Sequence, residues 1–328
     1  MDSGKGQEVN KVKILIYGAG VIGSLYAALL SEAGFDVSVY ARGRRLQSLT
    51  EHGLRYKRLK SRTEHGLRYK RLKGHTVNDL HHKRNDEVRT ANVQVLSRLD
   101  DSDSYDFVLL TVRENQFRTA LQELKSNVSP TIVTMVNTLE TYDSWDSVCG
   151  PGRILPAFPG AGGGFDGDVL DAALTPRIIQ PTTIGRTDGR EAKLAEIFRT
   201  AKIPCQIVGN MHAWQICHLG MVVPIADAYY ESDDPENAGH DAALMRETAR
   251  QIKSNFRDIR AMGFKLSPPK MNLFRILPTP IVAAGLGIAF RSRFGDRFMY
   301  QHSIKAPDEM RELHQKLYGF LGKEPLNC

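Results

Sequence analysis

The sequence predicts an α/β domain followed by an all-α domain. Three observations carry that expectation. An apolar segment, Lys13-Ile-Leu-Ile-Tyr17, runs directly into the glycine series Gly18-Ala19-Gly20-Val21-Ile22-Gly23; short strand-like segments recur as far as Val208; and from Asn210 onward the apolar residues repeat with helical spacing. With 328 residues and 41% apolar side chains, the chain is long enough for two cores.

In chain order, Lys13–Tyr17 reads as a buried strand, and Ile22, Leu25, Leu29 and Ala33, closed by Gly34, as one face of a helix. Asp36–Tyr40 is a second strand. Strand, glycine turn, helix and strand make a Rossmann-type dinucleotide-binding unit. Gly18 permits the tight turn, Gly20 lets a pyrophosphate approach the backbone, and Gly23 lets helix and strand pack closely. Ala19, Val21 and Ile22 complete the cradle, where the helix N-terminus offers free N–H donors to phosphate. A purely structural glycine turn is the alternative. Where an NAD-binding chain carries an acid for the ribose 2′-hydroxyl, this one reads Tyr40-Ala41-Arg42-Gly43-Arg44-Arg45. Arginine attracts a 2′-phosphate, so the expected cofactor is NADP(H) and Arg42 its clamp. For Arg44 and Arg45 a solvated basic loop is the competing reading.

Further strands are expected at Val93–Leu96, Phe107–Thr111, Ile132–Val136, Ile154–Ala157, Ile178–Ile184 and Ile203–Val208. The glycine-rich stretch Phe158–Gly167 is not followed by the Lys-Ser/Thr of a P-loop, and is expected to be a mobile loop lining a cleft. Met211–Tyr230, Ala242–Met262 and Pro307–Leu321 read as helices. Ile276–Phe290 contains Pro278 and Pro280, is too short to span a bilayer, and reads as a buried or interfacial helix. These assignments put a dinucleotide-binding domain at residues 10–209 and a helical substrate or dimerisation domain at 210–328.

One decapeptide, EHGLRYKRLK, occurs twice between Glu51 and Lys73 with a period of 13. Formal charge is +7 overall, yet residues 42–73 hold +10 and the other 296 sum to −3. Basicity therefore belongs to one segment. That segment has no aromatic residues beyond Tyr56 and Tyr69 and no nucleic-acid-binding module, so nucleic acid is not an expected partner. Each copy alternates enough for a short strand, with Leu and Tyr on one face. One copy suffices to continue the fold, and the other reads as a tandem duplication held in a hairpin or surface loop. Cys149, Cys205, Cys217 and Cys328 have neither disulfide-framework nor zinc spacing, which fits a reducing cytoplasm. The polar N-terminal stretch has no signal core, and His75, His81 and His82 lack companion ligands, so neither membrane nor metal is expected.

At this point the residues resemble the ketopantoate reductase (2-dehydropantoate 2-reductase) family. The likeness rests on Gly18–Gly23, the arginine after the second strand, Tyr105-Asp-Phe-Val-Leu-Leu-Thr-Val-Arg-Glu-Asn-Gln116, and Met135-Val-Asn137. It implies an NADPH-dependent enzyme built from a Rossmann domain and a helical domain. The family's Lys and Gln after the strand matching Phe107–Thr111 fall on Arg113 and Gln116, and its Asn near nicotinamide and substrate falls on Asn137, followed by Thr138 instead of the usual Gly. The family's catalytic lysine on the first long helix of the second domain has no counterpart. Alignment on Trp214 puts Ile216 at the lysine position and Gly220 at the first of the family's two Asn positions; alignment on Pro224 puts Gln215 and Leu219 there.

Reduction of a ketone places negative charge on the carbonyl oxygen, so a donor must stabilise or protonate it. His218, one turn from Gln215, is the expected donor; under the Trp214 alignment His212 takes that place, and a core histidine is the alternative. Glu309, in His302-Ser-Ile-Lys-Ala-Pro-Asp-Glu309, matches the family's substrate-contacting Glu, although a plain N-terminal helix charge reads as well. The expectation is an NADPH-dependent reductase of a 2-keto acid or other small carbonyl compound, with a homodimer allowed. A non-catalytic NADP(H)-binding protein is the alternative, motivated by the absent lysine.

Overall fold

The computed structural model describes residues 11–57, 87–305 and 307–323. The second copy of the decapeptide and His75, His81 and His82 lie outside these residues. β1 (Lys13–Tyr17) enters the glycine turn, α1 (Val21–Glu32) returns, and β2 (Asp36–Tyr40) lies parallel to β1. Next come α2 (Gly43–His52), β3 (Leu54–Lys57), β4 (Val88–Ala91) and β5 (Gln94–Leu96). β6 (Phe107–Leu110), α3 (Glu114–Glu123), β7 (Ile132–Met135), α4 (Asp143–Cys149) and β8 (Ile154–Phe158) continue the alternation. β9 (Ala161–Asp166), β10 (Val169–Leu174), β11 (Thr182–Gly185), α5 (Arg190–Thr200) and β12 (Cys205–Val208) close the α/β part.

The main sheet has the order β12-β11-β8-β7-β6-β1-β2-β5, parallel except where β11 meets β8. Side chains alternate across β1. Ile14 and Ile16 join the core under α1 and α5, while Leu15 and Tyr17 join the opposite core under α3 and α4. Burial on both faces is why the central strands read as unbroken apolar runs. Crossovers of this kind leave the C-terminal strand ends and the glycine turn on one edge.

A second sheet, β4-β3-β10-β9, packs its Leu54, Tyr56, Leu170 and Ala172 into the core that holds α1. Leu54–Lys57 of the first decapeptide copy thus form a strand with Leu54 and Tyr56 buried, as its alternation predicted. The expectation of a mobile loop over 158–167 is wrong. Phe158 ends β8, and Ala161–Asp166 pairs antiparallel with β10 from Ala161 opposite Leu174 to Asp166 opposite Val169. Its glycines answer to crowding: a Cβ on Gly163 would lie 2.5 Å from Ala172 Cα, and one on Gly162 would lie 2.8 Å from the Phe298 ring. The strand expected from Ile178 begins only at Thr182, because Ile178 is 86% exposed in a turn closed by Ile179 N donating to Pro176 O.

The helical part comprises α6 (Met211–Glu231), α7 (Ala242–Ala261), α8 (Asn272–Ile276), α9 (Thr279–Phe290), α10 (Gln301–Lys305) and α11 (Pro307–Phe320). α6 is buried on nearly every side, which is why its apolar residues show little sidedness. Pro224 within it has no N–H for the carbonyl of Gly220; the buried Asn255 of α7 donates Nδ2 to that oxygen at 3.1 Å instead. Gly220 also brings α7 close, since a Cβ there would lie 2.8 Å from Ile259. Among the described residues no helix is long and apolar enough to cross a membrane, and no group of three or more His, Cys, Asp or Glu could hold a metal.

Candidate active site

The three glycines of the turn meet different surroundings. Gly18 has φ +109°, a conformation that disfavours side chains, and Thr111 donates its hydroxyl to the Gly18 carbonyl at 2.8 Å. A Cβ on Gly23 would lie 2.5 Å from Thr111 Oγ1 and closer still to the Gly18 carbonyl. At Gly20 nothing among the described residues lies within 4 Å of the position a Cβ would take. Gly20 also precedes α1, whose N-terminus has no side-chain cap and no acid in its first turn. Among the described residues the turn therefore presents N–H groups without a partner, and the positive end of a helix dipole, to open space. Such a cradle fits a pyrophosphate.

The arginines after β2 separate into two roles. Arg45 is half-buried beneath the turn, donating Nε to Ala19 O at 3.0 Å and lying 4.3 Å over the Phe165 ring, and burial lowers its pKa. It is a brace, whereas Arg44 is exposed. Arg42, with its side chain 55% exposed, donates Nε to Tyr40 OH at 2.9 Å and a terminal nitrogen to Tyr17 OH at 2.8 Å, and it forms an ion pair with Glu123 of α3. Tyr17 also donates to Glu123; burial first, then that carboxylate, raises the Tyr17 pKa. Arg113 and Gln116 stand exposed at the start of α3, one turn beyond the end of β6.

Where the two halves meet, α6 lies against the ends of β7 and β8. Gln215, 1% exposed, donates Nε2 to Val136 O at 2.8 Å, next to Asn137. The side-chain oxygens of Asn137 and Gln215 are buried without a hydrogen-bond partner among the described residues. Burial raises the Tyr142 phenol pKa, with Gln215 pulling the other way. His218, 4% exposed, stacks on Trp214 at 5.0 Å and tilts against Phe158 at 4.5 Å. His212 sits between Tyr142 and Phe264, and burial lowers its pKa.

These positions distinguish the two alignments. Ile216 is packed into the core shared with α7, while Gln215 reaches the strand end that bears Asn137. The α6 side chain brought beside Asn137 is therefore Gln215, the residue that the Pro224 alignment puts at the lysine position. Leu219 lies in the core between α6 and α11, so no amide stands at the first Asn position of that alignment. Glu309 is partly exposed in the first turn of α11 beside Asp308, which pairs with Arg311. Gln215 and Tyr142 were absent from the sequence-derived candidates. The Pro224 alignment pointed to Gln215, but a carboxamide is no proton donor; nothing in the sequence marked Tyr142.

Residues 14–170 match the family described as Ketopantoate reductase PanE/ApbA. A comparison with curated protein sequences finds no match. Among solved structures, a probable 2-dehydropantoate 2-reductase from Bacillus subtilis is 16% identical over 96% of this chain and 95% of its own, with a TM-score of 0.63. D-mandelate dehydrogenase with NADH and anilino(oxo)acetate is 16% identical over 96% of this chain and 94% of its own, at 0.62. The dimeric ketopantoate reductase of Staphylococcus aureus is 11% identical over 95% and 99%, at 0.59. These likenesses extend the shared fold over both halves of the molecule. Residues 14–170 are thus similar to the ketopantoate reductase family, and the fold is shared with solved structures of that name along nearly the whole chain.

Proposed function

We propose that this chain is an NADP(H)-dependent reductase of a 2-keto acid or other small carbonyl compound. The observation that carries the reading is the open space above Gly20 between two glycines that are crowded. A structural turn would need Gly18 and Gly23 but not Gly20. The residues that would hold the cofactor are the turn Gly18–Gly23, Arg42, Arg113 and Gln116. When bound, the nicotinamide supplies a hydride. Asn137 and Gln215 would orient the carbonyl group and offer hydrogen bonds to its oxygen as charge develops there. Gln215 cannot give up a proton, so His218 is assigned that task, with Glu309 as a substrate contact.

Arg42 supports the 2′-phosphate reading, and its ion pair with Glu123 qualifies it: a phosphate has to displace a carboxylate already in place. NADH, as in the mandelate dehydrogenase complex, is thus the competing cofactor. Titration with NADPH and NADH decides between them. NADPH is expected to bind roughly tenfold or more tightly, Arg42→Ala to remove that preference by deleting a charge-assisted contact of ~1.5–3 kcal/mol, and Glu123→Gln to enlarge it. Equal affinities, or an Arg42→Ala variant that binds NADPH as wild type does, would refute the assignment. Incubation with NADPH and a panel of carbonyl compounds tests catalysis. Binding without turnover on any of them would favour a cofactor-binding protein that has lost its chemistry with the lysine.

A further inference from the structure

The helical domain carries a cleft of about 600 Å3 whose wall, among the described residues, holds five cationic side chains and no carboxylate. Arg250, Lys253, Arg257 and Arg260 recur at three- and four-residue spacing along α7 and so stand in one row, ~15 Å long at the helical rise. Arg275 of α8 completes the wall, with hydroxyls from Ser254 and Thr279. Little of this charge is neutralised. Arg250 pairs with Glu247 at 2.8 Å, but Arg257 reaches Asp258 only at 3.5 Å, and Asp258 is held by Lys323 at 2.7 Å. Lys253 spends its ammonium on the carbonyls of Leu277 at 2.5 Å and Arg275 at 3.4 Å, which fix its position and leave its charge. Arg260 and Arg275 make no ion pair among the described residues. General basicity does not explain the cluster, because the chain outside residues 42–73 is net negative.

We propose that this cleft binds a compact oligophosphate. Cations gathered in a concavity repel one another and concentrate anions, and guanidinium forks match phosphate oxygens through paired donors. Among the described residues the wall offers no aromatic ring on which a base could stack, so the phosphate chain itself is what is read. A free oligophosphate and the tail of a nucleoside triphosphate share that chemistry. The site stands on elements other than the glycine turn and does not depend on the reductase reading.

Calorimetric titration of the full chain with inorganic tripolyphosphate, at constant ionic strength, tests the proposal, with ATP as a second probe. One equivalent is expected to bind in a step that Arg260→Gln with Arg275→Gln weakens at least ~10-fold, and that the corresponding lysine pair restores in part. Deletion of residues 51–63 from the other basic segment should leave this step in place, and the glutamine pair should leave NADPH affinity unchanged. ATP competing for the same step would support reading of the phosphate chain wherever it is carried; tripolyphosphate binding alone would support a free oligophosphate. ATP binding alone would overturn the proposal, as would identical titrations of wild type and the glutamine pair, or a step that follows ionic strength only.

Discussion

Replacing Gly20 and Gly23 separately by alanine separates ligand space from packing space. A Cβ at Gly23 would lie 2.5 Å from Thr111 Oγ1 and 3.0 Å from Ile16 Cγ2, with the Gly18 carbonyl closer than either. Strand β1 and the turn itself would have to move, and overpacking of this kind costs ~1–3 kcal/mol, only partly offset by the ~1 kcal/mol that alanine gains over glycine inside a helix. At roughly 2–4 °C per kcal/mol, Gly23→Ala should unfold several degrees below wild type. Gly20 has φ −70° and ψ −171°, which any residue adopts, and an added Cβ would meet nothing within 4 Å among the described residues. Gly20→Ala should therefore stay within ~0.5 kcal/mol of wild type, as surface substitutions do. Its methyl group would nevertheless stand where a pyrophosphate must approach, so NADPH affinity should fall by roughly tenfold or more. Thermal unfolding and a fluorescence titration of NADPH measure the two quantities. A Gly20→Ala variant that binds like wild type would show that the open space is not a ligand's, and a Gly23→Ala variant of unchanged stability would refute the packing argument.

Asn255→Ala should destabilise the helical domain by ~1–3 kcal/mol in denaturant unfolding, because it leaves the Gly220 carbonyl buried without a donor. Pro224→Ala restores a backbone N–H to that carbonyl, so the cost of Asn255→Ala should shrink in its presence. In the buried Asp227–His314 pair, hydrogen-bonded at 2.9 Å, burial raises the Asp227 pKa. The folded chain then keeps a proton that the unfolded chain releases near ~3.9, so stability attributable to Asp227 falls as pH rises from there through the folded value, and Asp227→Asn should flatten that slope. If His218 supplies the proton, His218→Ala should lower turnover ~10²–10⁴-fold with NADPH affinity nearly unchanged and His212→Ala should do far less; lost thermal stability with normal turnover per folded molecule would instead mark His218 as packing against Trp214.

The parts of the fold that were legible in the sequence are those where one local rule acts alone. Lys13–Tyr17 and Phe107–Leu110 are buried on both faces and read as apolar runs, and the glycine turn declares itself because backbone geometry at Gly18 and crowding at Gly23 exclude other residues. The second sheet was half legible. Leu54 and Tyr56 alternate with basic residues as a half-buried strand should, whereas β9 is written in glycines, and nothing local distinguishes a glycine-rich loop from a strand pressed between Ala172 and Phe298. Arg42 and Arg45 show the same limit in the candidate site. They differ by three positions and by nothing in chemistry, yet one braces the Ala19 carbonyl and the other meets Glu123, some 80 residues distant in sequence.

The missing lysine is where local and distant constraints have to be combined. Sequence alone leaves two alignments on α6, because Trp214 and Pro224 are one residue out of step with the family's spacing. The fold separates the two positions through the direction of side chains on one helix. Residues 211, 214, 215 and 218 turn toward the strand ends, and Ile216 and Cys217 turn into the core with α7. A lysine at 216 would bury its ammonium among aliphatic side chains; a lysine at 215 would meet the Val136 carbonyl and the unpartnered oxygen of Asn137. Gln215 keeps the hydrogen-bond donor that such a position requires and gives up the charge and the transferable proton. On the proposed reading, Gln215 is left to hydrogen-bond a carbonyl group beside Asn137, and protonation of its oxygen is assigned to His218 on the same face of α6.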